Sequence, residues 1–287
     1  MHPKVSIILP NFNHQLFLKE RLDSIFNQTF QDFEVIVLDD ASTDGSMIIL
    51  NEYKNHPKVF QFIINKKNSG SPFKQWKKGM QLARGEYIWI AETDDYADEN
   101  FLETQTNKIN SNVAIVAKTI TVDGTIVTKN EVFHPIFKNN TSICTLNGND
   151  FFTSPIKNVS CIIFKKPSEE ELENMNFDIY FYMGDQVFYY QYFKNKTISF
   201  NPDTKSYYRK STSSVSSINP KKGINYFKKY FDEHVQFAKF IELEMGRQKK
   251  IQYLKKHYRK IKNRTSVSQR INLKYLSIAI NYYLETI

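Results

Sequence analysis

The sequence predicts an α/β protein with an open, mostly parallel sheet between helices, followed by a basic helical extension at the carboxyl end. Three observations support this fold class. Short apolar runs alternate with amphipathic stretches in the first third of the chain, the glycine and proline contents are too low for a linker-rich array, and the positive charge is concentrated near the end. With 287 residues, 41% of them hydrophobic, the chain has enough apolar material for a buried core, which excludes a disordered protein.

The first elements follow from hydrophobic periodicity. Leu18, Leu22 and Ile25 recur at the spacing of a helix face, and they lie between two apolar runs at residues 5–9 and 33–38. The alternation continues with predicted helices at 46–54 and 73–83 and predicted strands at 59–64 and 87–91. Because short apolar strands that alternate with helices are typical of sheets covered on both faces, we expect parallel strands with right-handed connections.

The later elements are less regular. We predict a helix at 100–109, a hairpin at 119–127 that turns at Asp123-Gly124, and a strand at 159–164. Helical patterns then occupy 226–240, 249–262 and 275–284. The sequence therefore divides into a domain of residues 1–219 and a helical extension of residues 220–287.

The charge distribution bears on possible partners. The net charge is +9, and residues 221–264 contain fourteen Lys or Arg against four Asp or Glu. This extension can lie on an anionic membrane surface, bind nucleic acid, or cap the sheet with solvated cations outside. No recognised nucleic-acid motif accompanies it, so we expect a cap with some membrane affinity.

The sequence shows no pattern that is typical of a targeting signal. No stretch approaches 18 consecutive apolar residues, the chain begins without a basic and apolar leader, and Cys144 and Cys161 cannot form a disulfide framework. We therefore expect a cytoplasmic protein, with peripheral contact to the inner face of a membrane as an option.

Polar side chains follow three of the predicted strands at their carboxyl ends, where ligands bind in open parallel sheets. These segments are residues 10–13, 39–45 and 92–95. Asp44 precedes a helix, which favours a capping role. The adjacent Asp94 and Asp95 repel each other, so a hard cation such as Mg²⁺ or Mn²⁺ would stabilise them.

Three blocks in this order carry a resemblance to a known family. They are residues 5–13 (VSIILPNFN), 37–45 (VLDDASTDG) and 85–95 (GEYIWIAETDD), and they resemble the signature blocks of the family 2 glycosyltransferases. The resemblance covers about residues 4–110 and, more loosely, 183–216. It implies the GT-A fold, in which residues 1–110 bind a nucleotide sugar and residues 111–219 form the acceptor side, and it implies sugar transfer with inversion.

The resemblance also implies roles for individual residues. Asp40 matches the acceptor of the base N3–H, which suits uracil or thymine but not cytosine, so a UDP-sugar is the expected donor. Phe12 matches the residue that packs on the base, although core packing is the other interpretation. Further donor contacts fall on Pro10, Asn68, Gly70, Asp94 and Arg209.

Metal and base positions follow in the same way. Asp94 matches a ribose or metal contact and Asp95 the metal ligand that bridges to the diphosphate. Asp185 matches the base that takes the proton of the acceptor hydroxyl, and it can also cap a helix. These matches imply a Mn²⁺ or Mg²⁺ cofactor.

The chain departs from the family pattern at three places. Glu92 replaces the usual first Asp of its block, Gln75-Trp76 stands in a stretch where the family commonly has an Arg-Asn pair, and Ser211 occupies a position that is often His. Lys74 and Lys78 can supply a positive charge there or form a solvated helix face.

Together these observations predict a metal-dependent glycosyltransferase that extends a surface glycan or a lipid-linked acceptor. The departures motivate an alternative, a protein that binds sugar nucleotides or acts as a membrane adapter without turnover.

Overall fold

The computed structural model of the chain describes residues 2–109, 112–132, 134, 136–137, 142–210 and 223–287. Its first part alternates strands and helices as the hydrophobic pattern predicts. The elements are β1 (Val5–Asn11), α1 (Gln15–Phe26), β2 (Phe33–Asp39), α2 (Ser46–Tyr53), β3 (Val59–Ile64), α3 (Pro72–Leu82) and β4 (Tyr87–Ile90). Within the described residues, each observed boundary lies within a few residues of the predicted one.

The second part contains shorter elements. They are β5 (Tyr96–Ala97), α4 (Phe101–Lys108), β6 (Ala114–Asp123), β7 (Ile126–Glu131), β8 (Ile143–Thr145), β9 (Ile162–Lys165), α5 (Glu169–Asn174), α6 (Gly184–Phe193) and β10 (Thr197–Lys210). The predicted hairpin is confirmed, because Asp123 pairs with Ile126 across the turn. The predicted strand at 159–164 begins later, since Val159–Cys161 forms a 3-10 turn.

The strands form one mixed sheet. Its order is β3-β2-β1-β4-β9-β6-β10-β5, with β7 beside β6 and β8 beside β10. Strands β1 to β4 are parallel, as predicted, whereas β9 runs antiparallel between β4 and β6. The antiparallel strand follows from its connections, because β9 reaches the sheet through the 3-10 turn rather than through a crossover helix.

Two apolar clusters cover the two faces of the sheet. Alternate residues of β1 divide between them, so that Ile8 belongs to one cluster and Ile7 and Leu9 to the other. The larger cluster also contains apolar side chains of the carboxyl-terminal helices, among them Phe227 and Phe231. These helices therefore share a core with one face of the sheet.

The extension consists of α7 (Gly223–Met245), α8 (Arg247–Lys262), α9 (Val267–Arg270) and α10 (Leu273–Thr286). The helical pattern predicted for this part of the chain is confirmed. In the part of the chain that the structure describes, none of the helices combines the length and apolarity that crossing a bilayer requires. Residues 211–219 lie outside the described residues, so the division of the chain at residue 219 stays a prediction.

Candidate active site

Strand register brings the polar loops of the sequence to one edge of the sheet. Asn11 pairs with Asp39 at the ends of β1 and β2, and Ile8 pairs with Ile90 near the end of β4. Parallel strands that end together deliver their following loops to the same place. The three predicted blocks therefore meet, although they are far apart in the chain.

Asp39 shapes the loop that follows β2. Its carboxylate accepts hydrogen bonds from the Asn11 side chain at 2.7 Å, from the Ser42 backbone at 2.8 Å and from the Ser42 hydroxyl at 2.6 Å. Ala41 has a φ of 62°, a left-handed conformation that costs energy for a residue with a side chain. The buried bonds to Asp39 hold this loop in its strained shape.

Asp40 is the centre of a second set of hydrogen bonds. Its buried carboxylate accepts from the amide of Asn65 at 2.6 Å, from the amide of Gln75 at 2.9 Å, and from the hydroxyl and backbone of Ser69 at 2.8 and 3.0 Å. Side chains of the β3–α3 loop and of α3 thus converge on the residue expected to contact the base. A base N3–H would have to replace one of these donors, and Ser69 is the one in a loop.

The loop around Ser69 contains two other predicted donor residues. Asn68 accepts the backbone N–H of Gly70 at 2.6 Å, and Gly70 has a φ of 78°, which favours glycine. Lys74 donates to the Ser69 carbonyl and Lys78 to the Asn65 side chain. The two lysines therefore hold this loop in the present structure, a role that the sequence did not predict.

Phe12 and Pro10 occupy different environments. The Phe12 side chain is 41% exposed, so it is not a core residue, and its ring is available to a planar partner. Pro10 is buried within β1, and its carbonyl accepts a 2.6 Å bond from the Thr93 hydroxyl. Pro10 thus ties β1 to the loop after β4.

The carboxylates of this loop after β4 differ in their partners. Asp95 is buried and accepts from the Asn158 amide at 2.8 Å and the Arg209 backbone at 3.0 Å. The carboxylate of the half-buried Asp94 accepts no hydrogen bond from another residue among those described, and burial raises its pKa. Burial, followed by the charge of Asp94, raises the pKa of Asp95 to about 6. Asp94 is therefore the open carboxylate of the pair.

Glu92 is paired with the residue that replaces part of the family's Arg-Asn stretch. The Trp76 indole Nε1 donates a 2.6 Å bond to its carboxylate, and the Glu92 backbone donates to the Ser160 hydroxyl. Burial and the charge of Asp94 raise the pKa of Glu92 to about 8. An aromatic donor thus contacts Glu92 without adding positive charge.

A cation that the sequence analysis missed lies beneath this loop. Arg21 of α1 is fully buried over the Trp89 ring at 4.8 Å, and its guanidinium has no hydrogen-bond partner among the described residues. Burial lowers the pKa of Arg21 to about 10, while the charges of Asp95, Glu92 and Asp94 act in the opposite direction. The signal was present in the sequence, because Arg21 falls on the apolar face that Leu18 and Ile25 define.

Arg209 differs from its predicted role. Its guanidinium donates to the carbonyls of Gly124 and Asp94 and to the Glu20 carboxylate at distances of 2.9, 3.0 and 2.8 Å. The side chain is almost completely buried beside the Phe17 ring. In this structure it supports the loop after β4 rather than presenting a free cation to a phosphate. Ser211 and the segment up to Ser216 lie outside the described residues.

Asp185 lies in the first turn of α6, and its carboxylate accepts the Gln186 backbone N–H at 2.8 Å. Burial raises its pKa to about 6. The interpretation of Asp185 as the helix N-cap is wrong, because the N-cap is Met183 and Asp185 is the second residue of the helix. Asp44 bonds to the backbones of Gln15 and Ser46, the first residues of α1 and α2, which agrees with its predicted capping role.

Electrostatic interactions connect Asp185 with the loop after β4. Tyr208 of β10 is raised in pKa to about 12, first by burial and then by the charges of Asp95, Asp94 and Asp185. The contacts of Trp76 agree with this connection, because its indole donates to Glu92 of the loop after β4 and its ring packs against Phe188 of α6. The element that carries Asp185 therefore lies next to the loop that carries Asp94 and Asp95.

The loop before Asp185 is held by the carboxyl-terminal extension. Glu233 of α7 is buried and accepts backbone N–H bonds from Phe181, Tyr182 and Met183 at 2.8, 2.6 and 3.1 Å. No sequence motif pointed to this contact. The extension thus contributes directly to the position of α6.

Helices α3 and α6 also approach closely. A Cβ atom on Gly184 would lie 2.2 Å from the Phe73 ring, and the Ser71 hydroxyl donates to the Tyr180 carbonyl at 2.8 Å. The start of the helix that carries Gln75 and Trp76 is therefore fixed against the start of the helix that carries Asp185.

Two relatives of this chain are named as glucosyltransferases. A β-1,3-glucosyltransferase of Campylobacter jejuni, named for the substrate GalNAc(5)-diNAcBac-PP-undecaprenol, is 25% identical over 97% of this chain and 90% of its own length. A poly(ribitol-phosphate) β-glucosyltransferase of Bacillus spizizenii is 41% identical, but the match spans 32% of this chain and 15% of that protein.

Solved structures share the fold. Residues 1–349 of Staphylococcus aureus TarS in complex with UDP superpose with a TM-score of 0.69 at 21% identity, over 99% of this chain and 80% of that one. The Pyrobaculum calidifontis mannosyltransferase PcManGT, in complex with GDP-Man and Mn²⁺, gives 0.57 at 15% identity, over 100% and 87%. The Glycosyl transferase family 2 model matches residues 6–214. The chain has the GT-A fold and belongs to glycosyltransferase family 2.

Proposed function

We propose that the protein is a metal-dependent, inverting glycosyltransferase that transfers a sugar from a UDP-sugar to a hydroxyl of a glycan or lipid-linked acceptor in surface polysaccharide synthesis. The observation that carries this proposal is that the loop with Asp94 and Asp95 lies next to the helix with Asp185, because Trp76 donates to Glu92 of that loop and packs against Phe188 of α6. Asp94 is open, Asp95 is held by two hydrogen bonds, and Asp185 has a raised pKa.

The donor would bind at the loops after β1, β2 and β3. The exposed Phe12 ring suits the face of a uracil, and Asp40 would accept its N3–H after Ser69 leaves the carboxylate. Complexes of TarS with UDP and with UDP-GlcNAc support a uridine donor by fold analogy. The Campylobacter relative's name supports a lipid-linked acceptor.

The chemistry of Asp94 suits a Mg²⁺ or Mn²⁺ ion. These ions bind one or two protein carboxylates and complete their shell with phosphate oxygens and water. Among the described residues, no group of three or more His, Cys, Asp or Glu side chains could hold a metal ion. When bound, such an ion would neutralise charge on the departing diphosphate. Asp94 and Asp95 would hold it, and the hydrogen bonds that Asp95 accepts from Asn158 and from the Arg209 backbone would orient its carboxylate.

Asp185 would supply the base. The acceptor oxygen forms a bond to the anomeric carbon on the face opposite the diphosphate, the bond from that carbon to the diphosphate oxygen breaks, and UDP leaves with the electron pair. Asp185 takes the hydroxyl proton. A positioned base contributes about 10²–10⁴ in rate.

The division of labour in the chain follows this scheme. Residues 1–110 would bind the donor, residues 111–219 would carry the base and part of the acceptor side, and residues 220–287 would support the base. Exposed apolar residues of α9 and α10, including Val267, Leu273 and Ile280, together with the basic character of the extension, support peripheral contact with the inner face of a membrane. The protein would then work in the cytoplasm.

Asp185→Asn tests the proposal, because it keeps the shape of the side chain and removes the base. Release of UDP from UDP-GlcNAc and UDP-glucose is measured with Mn²⁺, beside UDP affinity by titration calorimetry. We expect UDP affinity within about twofold of wild type and UDP release reduced by about 10²–10⁴. Glu173→Gln, which removes an exposed charge on α5, is the control and should retain release.

Two results would contradict the proposed enzymatic function. Wild-type protein that binds UDP but releases none from any donor, with any acceptor, would indicate the non-catalytic binding protein. Equal release by wild type and Asp185→Asn would remove Asp185 from the reaction.

A further inference from the structure

A groove runs along one face of α8. It has a volume of about 390 Å³, and its lining contains five cations, one after the helix end, together with two amide side chains and no carboxylate. The cations are Lys255, Lys256, Arg259, Lys260 and Arg264. Lys256 and Lys260 are one helical turn apart and so lie on the same face.

Within the described residues, these cations have no carboxylate partner. None of the five forms an ion pair with a residue that the structure describes, whereas Lys250 of the same helix is paired with both Glu242 and Glu285 at 2.8 Å. Burial and the charges of Lys256, Arg264 and Lys157 lower the pKa of Lys260. The groove therefore concentrates positive charge that an anion would stabilise.

The helix of the groove is connected to the loop before the predicted base. Tyr253 of α8 shares a 2.6 Å hydrogen bond with His234 of α7, and the neighbouring Glu233 holds the backbone of residues 181–183. The charge of Lys157 also acts on both Asp185 and Lys260. A ligand in the groove would thus be close to the acceptor side of the site.

The chemistry of α8 favours a phosphate ligand over a bilayer. A helix that lies in a membrane surface inserts an apolar face, but the apolar residues of α8, such as Tyr253, Leu254 and Ile261, are buried in the protein. Lysine and arginine side chains without carboxylate partners form strong charge-assisted bonds with phosphate oxygens.

We propose that the α8 groove and Lys157 form an acceptor subsite that binds a phosphate group of the acceptor and so directs its hydroxyl to Asp185. This inference rests on the proposed function. The phosphate can belong to a phosphodiester polymer or to the diphosphate of a lipid carrier, and the chemistry of recognition is the same.

The test uses the full chain saturated with UDP, so that the donor site is filled, and inorganic pyrophosphate as the probe in calorimetric titration. We expect the double variant Lys256→Ala/Lys260→Ala to bind pyrophosphate about tenfold or more weakly than wild type. The matched control is Lys239→Ala/Lys262→Ala, which removes the same charge from the extension outside the groove and should bind as wild type does.

Competition identifies the source of the phosphate. Displacement of pyrophosphate by soluble poly(ribitol phosphate) supports a polymer acceptor, and displacement by undecaprenyl diphosphate in detergent supports a lipid carrier. Equal pyrophosphate affinity in all three proteins would overturn the subsite. The subsite is also overturned if the groove variant keeps its pyrophosphate affinity and loses only its binding to vesicles of phosphatidylcholine and phosphatidylglycerol. That result would indicate a membrane contact.

The two proposals fail in different ways. Failure of wild type to bind UDP would count against the proposed function. If wild type binds UDP normally but the groove variant binds pyrophosphate as tightly as wild type and the control do, the acceptor subsite is overturned and the proposed function is not.

Discussion

The indole nitrogen of Trp76 donates a 2.6 Å hydrogen bond to the carboxylate of Glu92, and this bond joins α3 to the loop after β4. The two residues are departures from the family pattern, and the structure shows that they are partners. The Trp76 ring also packs edge-on against Phe73 and Phe188. Trp76 therefore connects the donor side of the site with α6.

Trp76→Phe keeps an aromatic ring in this position and removes the donor. Because Glu92 would lose a hydrogen bond in a partly buried site, we expect the free energy of unfolding to fall by about 1–3 kcal/mol. Urea unfolding measures the change. The cycle of Trp76→Phe, Glu92→Leu and the double variant gives the coupling energy, because Leu cannot accept the indole hydrogen bond, and strictly additive losses would contradict the bond.

Glu233→Gln tests the support of the base by the extension. A neutral amide is a weaker hydrogen-bond acceptor than a carboxylate. It also has a single acceptor oxygen for the three backbone N–H groups, where the carboxylate has two. We expect a lower kcat for transfer with UDP affinity unchanged, because the loop before Asp185 loosens while the donor loops stay in place. Asp232→Asn on the same helix is the control, and an equal loss of kcat in both variants would contradict a specific role of Glu233.

Asp94→Asn and Asp95→Asn should have different effects on metal dependence. Removing the open carboxylate of Asp94 is expected to weaken activation by Mn²⁺ without a change in stability. Asp95→Asn breaks the bonds that order the loop, and we expect a loss of about 1–3 kcal/mol of stability as well. Mn²⁺ titration of activity and urea unfolding separate the two, and identical behaviour of the variants would exclude this division of roles.

Arg21→Met is expected to change how stability depends on pH. Burial raises the pKa of Asp95 to about 6 and of Glu92 to about 8, so ionising them costs the folded state stability as the pH rises through this range. The positive charge of Arg21 limits this cost, and the Arg21→Met substitution removes that charge. The free energy of unfolding should therefore decline more steeply between about pH 5 and 8 in Arg21→Met than in wild type. Parallel declines in urea unfolding at several pH values would rule out the interaction.

The parallel half of the sheet was predictable because each strand is a short apolar run and each helix has a single apolar face. Leu18, Leu22 and Ile25 identify the buried face of α1 without any knowledge of its partner. The antiparallel β9 was not predictable in the same way, since an isolated apolar strand does not reveal which neighbours it pairs with.

Site residues divide along similar lines. Asp40, Asp94 and Asp95 follow strands directly, so their convergence is a consequence of parallel topology. The role of Arg209 and the contacts of Glu233 depend on tertiary neighbours far away in the chain, such as Glu20 and Tyr182. Arg21 is a charged residue within an apolar helix face. Its burial could therefore have been predicted from the sequence, although it was not.

The close approach of Gly184 to Phe73 has a consequence for the relation between Asp40 and Asp185. Phe73 lies in the first turn of the helix whose Gln75 is bound to Asp40, so a shift of that helix would be passed on to the start of α6. The contact leaves little room to absorb such a shift, because a methyl group on Gly184 would lie 2.2 Å from the Phe73 ring. The positions of Asp40 and Asp185 are therefore coupled mechanically through one aromatic side chain.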